Sequence, residues 1–181
     1  SVNARVTVLT SKMIRIEYSS TKQFEDRATF AIVNRRLPVP SYTTEEIDGY
    51  LFIRTADVML RYKIGSTIKA TDKKPDNLMV SFLLNGITCT WYPGKDDALN
   101  LLGTNRTLDG AWGDNSREKL EKGLISRAGW SIIDESPSAI RGDGSTTLPM
   151  GMNSDGYMWW EKAADAKAID WYFLGYGHQY K

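Results

Sequence analysis

Apolar and polar residues alternate in short runs along most of this chain. In Arg5-Val6-Thr7-Val8-Leu9 and in Met13-Ile14-Arg15-Ile16-Glu17-Tyr18 every second residue is apolar, the period that a half-buried strand requires. The two runs are expected to pair as a hairpin. Further strands are expected over Thr29 to Val33, Tyr50 to Thr55, Val58 to Tyr62, Leu78 to Leu84 and Ile87 to Tyr92. Breaker clusters separate them: Asp48-Gly49, Lys63 to Gly65 and Asn85-Gly86. The Asn-Gly pair predicts a tight primed turn, because both of its residues tolerate positive φ.

Gly123 to Asp134, Gly156 to Trp160 and Ile169 to Tyr176 extend the series to about ten strands, at the spacing of a sandwich or barrel. The fold class is therefore all-β, an antiparallel β-sandwich. One short helix is expected in a loop over Asn115 to Lys122, with Asp114 as N-cap and Gly123 just past its end. Ala163 to Ala168 has high helix propensity but is too short to stand alone between two aromatic runs, and is expected to be a turn.

At 181 residues the chain is long enough to bury roughly two thirds of its unfolded surface as a single domain, and no linker or repeat divides it. Its 23 Lys and Arg against 22 Asp and Glu leave a net charge of +1 with the signs interspersed. No positive field is available to gather phosphates, which argues against a nucleic-acid partner. No apolar run approaches the length of a membrane-spanning helix, so no membrane partner is expected. Cys89 and His178 are the single cysteine and the single histidine, which rules out an intrachain disulfide and a Cys/His zinc cluster. No metal or cofactor is expected.

Two dense blocks carry a resemblance. Trp91-Tyr92-Pro93-Gly94 leads into Asn100-Leu101-Leu102-Gly103-Thr104-Asn105-Arg106-Thr107-Leu108-Asp109-Gly110. Gly123-Leu124-Ile125-Ser126-Arg127-Ala128-Gly129-Trp130-Ser131-Ile132-Ile133-Asp134-Glu135-Ser136 follows in order. Together they resemble the N-terminal domain of family 31 glycoside hydrolases, the group that includes α-glucosidases. The opening Ile14 to Tyr18, Phe24 to Thr29 and Asn34-Arg35, and the ending Asp170 to Lys181, are similar to that domain as well, with Gln179 where an Asp is more usual.

The resemblance implies a galactose-mutarotase-like sandwich, with a catalytic (β/α)8 barrel expected C-terminal to it in the parent protein. Such enzymes cleave with two carboxylates, a nucleophile and an acid/base, carried on barrel strands. It thus implies that no catalytic residue lies in this chain, whose partners would be its own barrel and the parent's oligosaccharide substrate. Arg127, Trp130 and Asp134 would border a loop that helps shape the sugar pocket. Their chemistry suits it, since an indole stacks on a pyranose while a guanidinium and a carboxylate hydrogen-bond vicinal hydroxyls. The bland alternative is a core Trp130 beside a structural Arg127–Asp134 ion pair.

Trp159, Trp160 and Trp171 are expected at the interface with the barrel, because Trp159 and Trp160 are adjacent in a run that reads as a strand and one of them must point away from the core. With Trp91 and Trp112 they could instead form the exposed platform of an autonomous carbohydrate-binding module. Asp96, Asp97, Asp109 and Asp114 lie near glycines and read as turn residues rather than as a catalytic or calcium cluster. His178 has no nucleophile motif near it, and Gly142 to Ser145 is followed by no helix that could cradle phosphate.

Overall fold

A computed structural model describes residues 3–26, 32, 34, 37–103, 120–136, 139–140, 161–162 and 168–180. Two antiparallel sheets form the body. The first contains β1 (Ala4–Val8), β2 (Met13–Tyr18), β11 (Ile169–Leu174) and β8 (Ser131–Asp134), in the order β1-β2-β11-β8. The second is a meander of β3 (Thr43–Ile47), β4 (Tyr50–Arg54), β5 (Val58–Lys63), β6 (Leu78–Leu84) and β7 (Ile87–Trp91). A two-stranded ribbon pairs β9 (Ala139–Ile140) with β10 (Glu161–Lys162). No helix occurs among the described residues, and the fold is the all-β antiparallel sandwich that the alternation predicts.

Register explains the core. Val6, Ile16, Trp171 and Asp134 lie in one row across the first sheet, and Val8, Ile14, Phe173 and Ile132 in another. In the second sheet Ile53, Leu60, Val80 and Trp91 share a row. These faces meet, with Phe173 packing at 5.8 Å from Phe82 and 5.5 Å from Trp91 between ring centroids. Aromatic contacts of this kind contribute about 0.5–1.5 kcal/mol beyond the area they bury.

The β6–β7 turn is primed as expected, with φ of 52° at Asn85 and 78° at Gly86. Asp48-Gly49 closes β3–β4 in the same way, with φ of 50° and 78°. Strand β3 escapes the alternation rule because Thr43–Ile47 is exposed at every position and therefore shows no burial period.

Strand β2 departs from the half-buried expectation, since Arg15 and Glu17 are buried on the face opposite the core. Arg5 grips Glu17 in a bidentate pair at 2.7 and 2.8 Å, and Arg15 grips Asp170 at 2.7 and 2.6 Å. Both guanidinium groups also donate to the Glu25 carbonyl, and Arg5 lies over the Phe24 ring. The segment after β2 thus covers this outer face through its backbone, leaving β2 buried on both faces.

A single strand from Gly123 to Asp134 does not form. Only Ser131–Asp134 joins the sheet, because the chain turns through Ser126–Gly129, with φ of 78° at Gly129, before entering β8. Of the expected helix, Leu120 to Lys122 are not helical, and the rest lies outside the described residues. The strands expected at Thr29 to Val33 and Gly156 to Trp160, and the turn at Ala163 to Ala168, also fall wholly or mainly outside them.

Candidate functional site

Beyond β7 the chain leaves the body as an arm. Leu99 to Gly103 runs antiparallel to Leu120 to Arg127, through Leu101 N–H to the Ile125 carbonyl at 2.9 Å, Gly103 N–H to Glu121 at 2.7 Å and Arg127 N–H to Leu99 at 3.0 Å. Neither segment buries an apolar face. Leu99, Leu101, Leu102, Leu120, Leu124 and Ile125 are all 43–60% exposed. Monomers rarely leave large apolar areas bare, so this number of exposed aliphatic side chains on one arm makes it a candidate interaction surface.

Asn100 fastens the two segments from inside. Its side-chain amide accepts from Gly123 N–H at 2.8 Å and donates to the Gly123 carbonyl at 3.0 Å, imitating a backbone ladder. Gly123 must come close for this: a Cβ there would lie 2.9 Å from the Leu102 carbonyl oxygen.

At the root of the arm Asp97 is buried, which a surface turn does not explain. Its carboxylate accepts from the Ser126 hydroxyl at 2.7 Å, from Asn100 Nδ2 at 3.0 Å and from Leu99 N–H at 3.3 Å. Tyr176 completes the anchor by accepting from Ser126 N–H at 2.7 Å and directing its hydroxyl at the Leu124 and Trp130 carbonyls. Partial burial raises the Tyr176 phenol above its ordinary value, so the donor persists well into alkaline solution. Asp96, by contrast, is exposed and held below the usual carboxylate range by Lys122 at 2.6 Å.

Between the arm and the sandwich lies an open groove of about 320 Å³. Trp91, Trp130 and Trp171 form its floor, Asn100, Gly123 and Leu124 form the arm-side wall, and Asp134 stands on the wall contributed by β8. The structure thus brings together Trp130, Asp134 and Trp171 of the residues singled out in the sequence. Asp134 faces the groove because it shares a row with Trp171, and one of its oxygens is occupied by Ser136 N–H at 3.0 Å.

The three indoles are almost wholly buried. Trp91, Trp130 and Trp171 are 3, 6 and 5% exposed, with Trp91 meeting Trp171 edge-on at 6.1 Å and Trp130 at a tilt at 6.4 Å. A sugar stacks on an open ring face, which none of them presents. Arg127 is exposed outside the groove lining, and no ion pair joins it to Asp134 among the described residues. Trp112, Trp159, Trp160, Asp109, Asp114 and the Gly142 to Ser145 stretch lie outside the described residues.

A second cavity of about 400 Å³ lies beside the β6–β7 turn, lined by Lys12, Asp57, Asn85 and His178 among others. His178 is exposed there with its ring 5.9 Å from that of Tyr180, and no Ser, Thr or Cys lines the cavity. Among the described residues no group of three or more His, Cys, Asp or Glu is placed to hold a metal ion. Sequence reasoning missed Asp97 and the arm. The exposed leucines were readable as such only once their burial was known, although three of them, with Ile125, lie within the resembling blocks. A comparison with models of known protein families finds no match, and no curated protein sequence matches the chain.

Proposed function

We propose that this chain is a non-catalytic sandwich domain of an α-glycoside-hydrolysing enzyme, of galactose-mutarotase-like type. It packs on the enzyme's (β/α)8 barrel and helps shape the sugar pocket. The observation that carries the reading is the aliphatic arm. Leucine and isoleucine side chains lack the flat faces that sugars stack on, but they fit the apolar surface of a protein partner. The arm also walls the groove, so a barrel seated on it would bring its pocket beside Asp134. In that position the Asp134 carboxylate accepts hydroxyls of the substrate, while the barrel supplies nucleophile and acid/base. A free-standing carbohydrate-binding module gains no support from the buried Trp91, Trp130 and Trp171.

The test is calorimetric titration of the chain with a separately expressed family 31 (β/α)8 barrel. Saturable association is expected, weakened at least about tenfold when Leu101→Asp and Leu124→Asp place two charges at the centre of the contact. Both positions are about half exposed or more, so the double variant keeps its fold. Failure to associate, or association indifferent to the two substitutions, overturns the reading.

A further inference from the structure

The arm poses a physical question, because its apolar side chains do not hold it. Its leucines face solvent, its two segments share only a few backbone hydrogen bonds, and a two-stranded ribbon without a packed face is marginal in water. Yet it leaves the sandwich in one defined direction. We infer that Asp97 is the residue that sets that direction, a buried carboxylate that pins both segments of the arm to the body at their root.

The geometry supports this assignment from both sides. On the outgoing segment Asp97 receives Leu99 N–H and the Asn100 amide, and on the returning segment it receives the Ser126 hydroxyl. Each partner is committed elsewhere in the same device. Asn100 bridges to Gly123 in both directions, and Ser126 Oγ accepts from Ala128 N–H at 3.0 Å while Ser126 N–H reaches the Tyr176 hydroxyl. Tyr176 lies two residues past the end of β11, so the chain of contacts runs from the arm through Asp97 and Ser126 towards the four-stranded sheet.

Two acceptor oxygens on one small side chain are what the position requires. An asparagine would turn one of them into a donor facing either the Asn100 amide nitrogen or the Leu99 N–H, neither of which accepts, and a buried donor without a partner is costly. Asn100, Gly123 and Leu124 also line the groove, so the same pin sets the groove's width and the direction of the exposed leucines. Asp97 is thus a positioning residue for both. The inference rests on the proposed docking role for its purpose but not for its test, which needs no partner.

The experiment is hydrogen exchange on the purified chain read by mass spectrometry, comparing wild type with Asp97→Asn. Amides of 99–103 and 121–127 are expected to exchange at least about tenfold faster in the variant, with β4, β5 and β6 unchanged. Ser126→Ala, which removes one donor and keeps the carboxylate, is expected to give a smaller change confined to the same segments. Asp96→Asn, which alters the exposed neighbour, is expected to give none. Unchanged exchange in the arm of Asp97→Asn overturns the inference. So does acceleration spread equally over β4 to β6, which would make Asp97 a general stability residue. Failure of the barrel titration with these exchange results intact would sink the docking reading and leave the positioning role standing.

Discussion

Glu17 shows how far residue-level chemistry departs from a simple alternation of inside and outside. The period of β2 places Ile14 and Ile16 in the core and puts Arg15 and Glu17 on the other face, where solvent is the default. Periodicity cannot report whether that second face is covered, and here it is, by the backbone after β2. Burial therefore holds the Glu17 carboxyl above the usual carboxylate range, against the pull of Arg5 and Arg15. The folded protein keeps a proton on Glu17 at pH values where the unfolded chain has released it. The Glu17 contribution is fully present below the unfolded value of about 4.3 and is lost as pH rises through the raised folded value. Glu17→Gln carries no titrating proton and is expected to flatten that part of the pH profile. It is also expected to lower stability by about 1–3 kcal/mol, because Arg5 and Arg15 lose one buried acceptor while keeping Asp26 and Asp170. Urea unfolding at several values between about pH 4 and pH 7 reads both effects. A slope identical to that of wild type would contradict the account of Glu17.

At the scale of elements, the legible parts of the fold are those in which local chemistry and burial agree. Leu78–Leu84 and Ile87–Trp91 are strongly apolar or β-branched, and Asn85-Gly86 between them permits one tight connection. The Gly86 φ of 78° with open space around its Cα makes the cost of a side chain there one of backbone strain alone. Gly86→Val is expected to destabilise by about 1–2 kcal/mol with no change in the core, and an unchanged urea midpoint would contradict the turn assignment. Strand β3 was illegible for the opposite reason. It is held by its ladder to β4 while exposing every side chain, and its Arg54–Glu45 ion pair at 3.1 Å is an exposed one that adds little. The stretch from Gly123 to Asp134 was misread as one strand because its apolar residues serve two masters. Leu124 and Ile125 belong to the arm, whereas Ile132 belongs to the sheet, and the turn through Gly129 divides them.

One sandwich organises two surfaces of different character: a groove floored by buried indoles and an arm of bare aliphatic side chains. Trp130, Asp134 and Trp171 could be singled out from sequence because indoles and carboxylates announce their chemistry by type. The groove that unites them could not, since it depends on the register that sets Asp134 opposite Trp171. Asp97 was hidden for a related reason. An aspartate two residues after Lys95 and near Gly94 has the composition of a turn, and only its burial beneath Ser126 and Asn100 marks it as an anchor. Arg127 belongs to neither the groove lining nor an ion pair with Asp134, and its position on the returning segment of the arm places it beside the proposed docking face.

The most direct measurement on the central proposal uses the purified chain alone: an aryl α-glucoside hydrolysis assay run beside calorimetric titration with maltose and isomaltose oligosaccharides. A non-catalytic docking domain is expected to give neither turnover nor saturable heat, because on the proposed reading the two cleaving carboxylates belong to the barrel, and the described indoles are almost wholly buried. Saturable binding without turnover would favour a free-standing carbohydrate-binding module, and turnover that co-purifies with the chain would contradict the account outright.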